Sequence, residues 1–314
     1  MYNLGPEDPR KRGKGIAYME NGKRFTMRII LACCLACAML LGCACAGAEI
    51  HMDQEPPAEW AEKDVLRLTA FQTKINDSAL LEVGGKTMLI DGGVRKWADP
   101  MWKALAEMGY DGRVDILYNT HPHDDHLDAV TKMVKNGFRA DAFYSNFPET
   151  YRNDVQRAAV KALKDAEIPY HQFEWGEELD FGGAHLTFYF WPEGKDPNAK
   201  SSALMIEFGH SSVLMTGDAS GETARYYHSA LGKDGKLKAD ILKIPHHGIV
   251  EVVASFMDDV APGFAYVTNW MHSTPRVTRQ LENREIPHYY TTGGRVVMVT
   301  DGEDWYIKQY KGEF

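Results

Sequence analysis

In the segment Val114-Asp-Ile-Leu-Tyr-Asn-Thr-His-Pro-His-Asp-Asp-His126, a short apolar run leads directly into a cluster of histidines. The run Val114–Tyr118 predicts a buried strand, and the apolar spacing over Leu127–Val134 predicts a helix after the cluster. The side chains on the loop between them that suit metal binding are His121, His123, Asp125 and His126. Neutral imidazole and ionised carboxylate are ligands that zinc, manganese and iron take in proteins. Three imidazoles in so short a loop favour a metal site over a solvated polar loop.

The spacing within this loop predicts two neighbouring cations. His121 and His123 lie two positions apart and are placed to bind one cation together. Asp125 and His126 are then expected to turn toward a second cation a few ångströms away. All five cysteines lie within residues 33–45, so no thiolate is available further along the chain. The remaining ligands must therefore be histidine, aspartate, and backbone or water oxygens.

Strands and helices are predicted in two similar series along the chain. Strand hairpins come first in each series, and strand–loop–helix units follow. The predicted strands are Val65–Phe71, Ser78–Val83, Thr87–Ile90, Val114–Tyr118, Ala184–Phe190, Ala203–Phe208, Val213–Thr216, Ile241–Ile244, Phe264–Thr268, Arg295–Thr300 and Trp305–Gln309. The predicted helices are Pro100–Met108, Leu127–Val134, Asp154–Lys164, Thr223–Leu231 and Val277–Arg284. The expected fold class is α/β: an αββα sandwich of two mixed β-sheets flanked by helices.

The run His121-Pro-His-Asp-Asp-His126 resembles the His-x-His-x-Asp-His signature of the metallo-β-lactamase superfamily. Other segments resemble motifs of that family in the same order: Leu89-Ile-Asp-Gly-Gly93, Asn198-Ala-Lys-Ser-Ser-Ala-Leu204, Leu214-Met-Thr-Gly-Asp218 and Ala239-Asp-Ile-Leu-Lys-Ile-Pro-His-His-Gly248. Residues 64–310 are similar to one branch in particular, the hydrolase domain of ComEC-type competence proteins and related secreted phosphodiesterases. The resemblance implies the αββα fold and a hydrolase with two divalent metal ions. Zinc is the metal expected, with manganese or iron as alternatives.

Two segments depart from that family's pattern. Lys74-Ile-Asn-Asp77 stands where relatives often read Gly-Gln-Gly-Asp, so that only the aspartate is kept. This departure leaves the substrate class open more than the fold. Met271-His272-Ser-Thr-Pro275 stands where relatives often read Gly-His-Pro, and here the histidine is kept.

The resemblance also implies ligands outside the first cluster. Asp218 would be the carboxylate shared by both cations, whereas the alternative is an N-cap for a helix that begins near Ser220. His246 is expected to bind metal, and its neighbour His247 to support a ligand or face the substrate. His272 is expected to be a further ligand, with an ordinary loop histidine as the alternative.

Other polar residues are expected to act beside the cations. Asp91 either accepts the outer N–H of a ligand imidazole or is a turn aspartate before two glycines. Asn198 and Ser201 either position the substrate or a ligand, or belong to a polar turn. Asp125 is expected to orient the nucleophile in addition to binding metal.

The N-terminus has the pattern of an export signal. The uncharged apolar run Ile29–Leu41 follows three basic residues and is shorter than the about 20 residues that a transmembrane helix needs. Leu40-Leu-Gly-Cys43 resembles a bacterial lipobox, which predicts a lipid anchor on Cys43. Cleavage after Ala46-Gly-Ala48 is the alternative. The protein is therefore expected to be exported, and either lipid-anchored at the bacterial cell surface or secreted.

Three regions are predicted along the chain. Residues 1–45 form an N-terminal extension with the signal, residues 46–63 a polar tether, and residues 64–314 the hydrolase domain. Residues 46–314 contain 28 basic and 41 acidic residues, a net charge of −13. Nucleic-acid binding depends on clustered Lys and Arg, so this charge does not favour a long polyanion as partner.

The function expected is metal-dependent hydrolysis. Two cations that share a water lower its pKa toward neutrality and supply a bound hydroxide. The expected substrate is a small-molecule or cell-wall-linked phosphodiester. The alternatives are an extracellular nuclease, a β-lactamase or lactonase, and a cell-surface binding protein that retains metal without activity. The sequence leaves the oligomeric state open.

Overall fold

The computed structural model describes residues 48–314, which contain sixteen strands and six α-helices joined by loops and short 3-10 turns. The strands are β1 (Ile50–Met52), β2 (Leu66–Ala70), β3 (Ala79–Val83), β4 (Lys86–Ile90), β5 (Arg113–Tyr118), β6 (Arg139–Ser145), β7 (Tyr170–Gln172), β8 (Glu177–Phe181), β9 (Ala184–Tyr189), β10 (Ala203–Phe208), β11 (Ser211–Met215), β12 (Ile241–Lys243), β13 (Phe264–Val267), β14 (His288–Tyr290), β15 (Gly294–Thr300) and β16 (Trp305–Lys311). The helices are α1 (Ala98–Glu107), α2 (Asp124–Lys135), α3 (Asp154–Asp165), α4 (Glu222–Leu231), α5 (Ala254–Val260) and α6 (Pro275–Asn283).

These strands form two mixed sheets. The first has the order β1-β16-β15-β2-β3-β4-β5-β6-β7 and the second the order β14-β13-β12-β11-β10-β9-β8. In each sheet an antiparallel meander leads into parallel strands, β4 to β7 in the first and β11 to β14 in the second. Parallel neighbours need a crossover connection, and each of the six helices lies in one such connection.

Apolar side chains fill three layers. Leu81 of β3 lies in the layer between the two sheets together with Leu204 of β10. Leu80, the preceding residue, lies on the opposite face of the strand, in a cluster with Leu105 of α1 and Leu127 of α2. A third cluster lies between the outer face of the second sheet and α4, α5 and α6. This layering is the αββα sandwich expected from the sequence, and that prediction is confirmed.

Residues 48–63, expected to belong to a polar tether, are instead packed on the domain. Strand β1 pairs in parallel with the edge strand β16, and Trp60 is buried with its ring centre 5.0 Å from that of Tyr306. The few apolar residues of this stretch show no periodicity, so their partners were not evident from the sequence. The predicted signal and lipobox lie outside the described residues. Within residues 48–314, no helix has both the length and the apolar character needed to cross a bilayer.

The carboxyl ends of the parallel strands bring the polar loops together. Asp91 follows β4, His121 follows β5, Asp218 follows β11, His246 follows β12 and Thr268 follows β13. Parallel strands end at the same edge of a sheet, so the loops of each sheet meet. Hydrogen bonds between the segment after β5 and the segment before β10 join the edges of the two sheets.

Candidate metal centre

Asp91 is a buried carboxylate that organises the histidine loop. Its Oδ1 accepts hydrogen bonds from Asn119 Nδ2 (2.8 Å) and Thr120 N (2.9 Å), and its Oδ2 accepts one from Thr120 Oγ1 (2.7 Å). Oδ2 also lies 2.8 Å from His126 Nδ1. An ionised carboxylate only accepts, so a neutral His126 ring carries its proton on Nδ1 and leaves the lone pair of Nε2 for a cation. Of the two roles considered for Asp91, the structure shows the contact with an imidazole.

Asp218 lies on the turn after β11, and the preceding residue, Gly217, has no room for a side chain. Gly217 has φ +48°, and a Cβ added to it would collide with Ser201 Oγ and lie 2.7 Å from Thr120 Cβ. Ser201 Oγ accepts a hydrogen bond from Asp218 N at 2.9 Å. The glycine therefore permits the close packing that fixes the direction of the aspartate.

The Asp218 carboxylate lies between two sets of imidazoles. Oδ1 is 3.3 Å from His126 Nε2 and 3.5 Å from His247 Nε2. Oδ2 is 3.7 Å from His121 Nε2 and 3.6 Å from His246 Nε2. A single carboxylate, 2% exposed, thus serves both sets.

We define two half-sites by these contacts. Site 1 consists of His121, His123, His246 and Asp218 Oδ2, and His123 Nδ1 lies 3.1 Å from His121 Nε2. Site 2 consists of Asp125, His126, His247 and Asp218 Oδ1. Asp125 Oδ2 is 3.2 Å from His247 Nε2, and Oδ1 is 3.9 Å from His126 Nε2.

Both half-sites have the dimensions of a cation site. Ligand atoms bind zinc-like cations at about 2.0–2.2 Å, which makes the edge of a tetrahedral ligand set about 3.3–3.6 Å. The ligand-atom pairs in contact are 3.2–3.9 Å apart in site 2 and 3.1–3.7 Å apart in site 1. Within site 1, the ligand atoms of His121, His123 and Asp218 all lie within 4.8 Å of one another. Among the described residues, His126 Nε2 and Asp218 Oδ1 are buried without a hydrogen-bond partner. A cation would satisfy both atoms, so the residues fit a dinuclear metal site.

Electrostatics also favour positive charge at site 2. Burial lowers the pKa of His247, but the carboxylates of Asp218 and Asp77 outweigh it and raise that pKa to about 9. Burial also lowers the pKa of His126, but the carboxylates of Asp218 and Asp91 outweigh it and raise that pKa above its ordinary value. In site 1, burial keeps the pKa of His121 and of His246 below the ordinary value. The field of the surrounding carboxylates therefore differs between the half-sites.

Some of the residues predicted from the sequence lie in the two half-sites, and others do not. His247, expected to support a ligand, has its Nε2 among the ligand atoms of site 2, and His246 lies in site 1. His272 is exposed on a 3-10 turn, with its ring centre 5.8 Å from that of Trp270, and it lies in neither half-site. Ser201 contacts Asp218 as described, and its Oγ is 3.4 Å from His121 Nδ1. Asn198 O accepts a hydrogen bond from Ser201 N at 3.0 Å.

Sequence reasoning missed Asp77, Lys243 and Thr268 as part of this centre. Asp77 Oδ1 lies 3.1 Å from His247 Nδ1, Asp77 pairs with the buried Lys243 ammonium, and Thr268 Oγ1 lies 2.9 Å from His247 Nδ1. A signal was present for the aspartate, because it is the one residue kept where the first hairpin departs from the family pattern. No comparable signal marked the lysine or the threonine.

Comparisons with known proteins agree with this architecture. A family model described as the metallo-beta-lactamase superfamily matches residues 73–262. Over 147 residues the chain is 24% identical to Ribonuclease TTHA0252 of Thermus thermophilus, covering 43% of this chain and 33% of that protein. The chain thus spans about a third of the length of this curated relative.

The chain is also similar to three solved structures. The metallo-beta-lactamase fold protein YhfI from Bacillus subtilis is 14% identical, with a TM-score of 0.48 over 73% of this chain and 96% of that chain. CmlA, a diiron beta-hydroxylase from Streptomyces venezuelae, is 15% identical, with a TM-score of 0.46 over 75% of this chain and 54% of that chain. A metallo-beta-lactamase from Cronobacter sakazakii is 17% identical, with a TM-score of 0.42 over 67% of this chain and 89% of that chain.

Proposed function

Because the chain belongs to the metallo-beta-lactamase superfamily, we propose that it is a two-metal hydrolase whose substrate is a phosphodiester. The observation that carries the proposal is the position of the Asp218 carboxylate. One of its oxygens lies 3.3 Å from His126 Nε2, and the other lies 3.6 Å from His246 Nε2. A carboxylate shared in this way holds two cations close together, as two-metal hydrolases require.

Two bound cations, zinc being the metal we propose, would supply an activated water and neutralise charge that develops on the substrate oxygens. The contribution of the protein itself is placement. Asp91 contacts His126 Nδ1, which directs the Nε2 lone pair of that ring toward site 2. Ser201 Oγ accepts a hydrogen bond from the backbone N–H of Asp218 and so holds that residue in place. The Asp125 side chain is 26% exposed, whereas that of Asp218 is 2% exposed. Asp125 is thus the carboxylate of the ligand set that reaches solvent, and we assign it the orientation of the attacking water.

Phosphorus is the electrophile that we favour over a carbonyl carbon. A cation pair about 3.5–4 Å apart suits an in-line displacement, in which one oxygen attacks and another leaves. The similarity to a protein named as a ribonuclease supports the same chemistry. The resemblance to ComEC-type hydrolase domains stays a prediction and points in the same direction. A small or wall-linked phosphodiester suits the net charge of −13 in residues 46–314 better than a polyanion does.

A nuclease is the second candidate, and the similarity to the Thermus thermophilus ribonuclease favours it. A nucleic acid releases counterions when it binds, so its cleavage would weaken steeply with added salt. Cleavage of a small phosphodiester would not. The salt dependence of KM therefore separates the two candidates.

A substrate panel tests the proposal. The purified protein is stripped with a chelator, reloaded with Zn²⁺, Mn²⁺ or Fe²⁺, and assayed on five substrate classes. These are a bis(p-nitrophenyl) phosphodiester, p-nitrophenylphosphorylcholine, single-stranded nucleic acids, a chromogenic cephalosporin and a lactone. We expect turnover of a chromogenic phosphodiester with at least one metal, and none in the presence of chelator.

Matched histidine variants complete the test. His121→Ala should abolish turnover, because it removes a ligand of site 1. His185→Ala makes the same change on β9, where the side chain is 41% exposed, and should leave turnover intact. Stoichiometric metal without turnover of any substrate would instead indicate a binding protein. Turnover of the lactam or the lactone alone would contradict the choice of phosphorus.

We also propose export with a lipid anchor on Cys43, which rests on the resemblance of Leu40-Leu-Gly-Cys43 to a lipobox. Expression in a bacterium with a labelled fatty acid should label the protein, and Cys43→Ser should abolish the label. A protein that is released unlabelled into the medium would point to plain cleavage of the signal.

A further inference from the structure

Asp77 is a buried carboxylate behind site 2 that the proposed chemistry does not use. It is 6% exposed and lies on the loop before β3. Its Oδ2 pairs with the ammonium of Lys243, the last residue of β12, which is 2% exposed. Lys243 Nζ also donates a hydrogen bond to Gly217 O at 2.7 Å. The Asp77 Oδ1 atom accepts a hydrogen bond from Thr268 Oγ1 at 2.6 Å.

These contacts determine which nitrogen of His247 carries the proton. The Thr268 hydroxyl donates its hydrogen to Asp77, so its oxygen is left to accept from His247 Nδ1 at 2.9 Å. Asp77 Oδ1 itself lies 3.1 Å from His247 Nδ1, and a carboxylate only accepts. In the neutral ring that a cation needs, both neighbours therefore place the proton on Nδ1 and leave the lone pair on Nε2. That lone pair faces Asp125 Oδ2 and Asp218 Oδ1.

Asp77 lies near enough to other acidic and imidazole groups to be considered as a ligand itself. However, Nδ1 and Nε2 are on opposite edges of an imidazole ring. The Asp77 oxygen that contacts His247 Nδ1 cannot share a cation with His247 Nε2, and its other oxygen already has the Lys243 ammonium as a partner. Asp77 therefore acts through His247.

The two half-sites differ in what stands behind their imidazoles. In site 2, His126 Nδ1 is backed directly by Asp91 at 2.8 Å, and His247 Nδ1 by Thr268 and Asp77. In site 1, the Nδ1 atoms of His121 and His246 contact hydroxyl groups instead, at longer distances. His121 Nδ1 lies 3.2 Å from the Thr120 hydroxyl and 3.4 Å from the Ser201 hydroxyl, and His246 Nδ1 lies 3.3 Å from the Ser220 hydroxyl.

Charge and burial add to the difference. Site 2 contains the Asp125 carboxylate in addition to its share of Asp218, whereas the other ligands of site 1 are all imidazoles. The imidazoles of site 2 are at most 1% exposed, whereas that of His246 is 25% exposed. A carboxylate behind an imidazole raises its strength as a ligand, and removing such a partner lowers metal affinity about 10–100-fold.

We propose that Asp77, held in place by Lys243 and Thr268, is a positioning residue for His247 that makes site 2 the high-affinity cation site, filled first, and site 1 the exchangeable one. The inference rests on the two-cation part of the proposed function. It does not depend on which substrate is cleaved.

Metal affinity of the full-length protein tests this inference without an activity assay. The metal-free protein is titrated with Zn²⁺ against a chromophoric chelator, and the two binding steps are resolved. His123→Ala should remove the weaker step and keep the tighter one, which assigns the weaker step to site 1. Asp77→Asn should weaken the tighter step about 10–100-fold and leave the weaker step unchanged.

Asp115→Asn is the matched control for Asp77→Asn. Asp115 also pairs with a lysine and a threonine, Lys86 and Thr87, but it lies on β5 away from both half-sites. Neither binding step should change in this variant. A purely structural role of Asp77 would shift both steps together or leave both unchanged, and either result would overturn the inference.

A second variant guards against a folding defect, because Asp77→Asn leaves the Lys243 ammonium buried without its counter-charge. The double variant Asp77→Asn/Lys243→Met removes both charges. We expect it to keep the weakened tighter step, and wild-type affinity in the double variant would refute the positioning role. Two normal binding steps in a protein without phosphodiesterase activity would contradict the proposed substrate but not the role of Asp77. A wild-type protein that binds a single cation would overturn this inference.

Discussion

Replacing Asp91 by asparagine is the substitution whose outcome the structure defines most sharply. Four donors converge on this carboxylate: Asn119 Nδ2, Thr120 N, Thr120 Oγ1 and His126 Nδ1. An asparagine keeps one oxygen and presents an NH₂ group at the other position. In its better orientation the oxygen would stay with Asn119 Nδ2 and Thr120 N, so the NH₂ group would face the Thr120 hydroxyl and His126 Nδ1.

The consequence for His126 is a change of tautomer. The hydroxyl of Thr120 is able to rotate and accept from the new NH₂ group. Imidazole is able to accept only if its proton moves to Nε2, the nitrogen that faces Asp218 Oδ1 at 3.3 Å. A proton there blocks the lone pair that a cation needs. We therefore expect the affinity of site 2 to fall about 100-fold, or about 2.7 kcal/mol.

Folding stability should fall as well, for a separate reason. Hydrogen bonds to a buried charged acceptor contribute about 1.5–3 kcal/mol each, and two of the four would be lost or weakened. Partial recovery by rotation of the hydroxyl leaves an expected loss of about 2–4 kcal/mol in the free energy of unfolding. Urea denaturation in the presence of chelator measures this term alone, and competition with a chromophoric chelator measures the affinity. Unchanged zinc affinity in a folded Asp91→Asn protein would falsify the tautomer argument.

Three further predictions use other parts of the structure. Gly217→Ala should lower the free energy of unfolding by about 1–3 kcal/mol and impair activity, because the backbone has φ +48° and the new Cβ collides with Ser201 Oγ. Gly235→Ala is the control, since Gly235 has a similar φ of +69° but open space around it. Equal effects of the two changes in thermal denaturation would contradict this reasoning. Burial raises the pKa of Glu82, whose carboxylate accepts a hydrogen bond from Tyr110 Oη at 2.8 Å, so stability from this group is present below the unfolded pKa and is lost as pH rises through the folded pKa. Glu82→Gln should therefore stabilise the metal-free protein at pH 7 and lose that advantage toward pH 4, and a gain that is independent of pH would count against burial as the cause. Removal of metal by chelator should lower the unfolding temperature reversibly, since free metal at 100 times its Kd stabilises the folded state by about 2.7 kcal/mol; identical melting curves with and without metal would argue against a bound cation.

The sequence predicted the elements whose pattern is local. The helices α1, α2, α3, α4 and α6 and most long strands have periodic apolar residues, and their predicted positions agree with the structure within a few residues. Strand β6 was not predicted, because Arg139 and Asp141 alternate with small residues and leave no apolar stripe. Its position depends instead on parallel pairing with β5, a contact between residues about 26 apart in sequence. Elements that depend on such pairing are not visible to periodicity.

In the candidate site, too, residues marked by a local pattern were predicted and residues that depend on distant contacts were not. The residues of the first cluster were found because four side chains suited to metal binding fall within six positions. The role of Asp77 depends on Thr268, 191 residues further along the chain, and no pattern within one segment expresses that contact. His272 shows the opposite case, since a histidine in a familiar motif position is held on an exposed turn by the local backbone.

The consecutive histidines 246 and 247, of which the sequence predicted one as a ligand, both face the Asp218 carboxylate. Both residues have left-handed backbone angles, φ 50° and ψ 47° for His246, and φ 51° and ψ 17° for His247. Such angles cost about 1 kcal/mol or more for a residue with a Cβ, and glycine would avoid that cost. A glycine would also remove an imidazole from one half-site. The strain persists because this turn sends two adjacent rings to opposite oxygens of Asp218, one to each half-site. A single turn thereby connects the geometry of both half-sites, so a change that relaxes its backbone should disturb both at once.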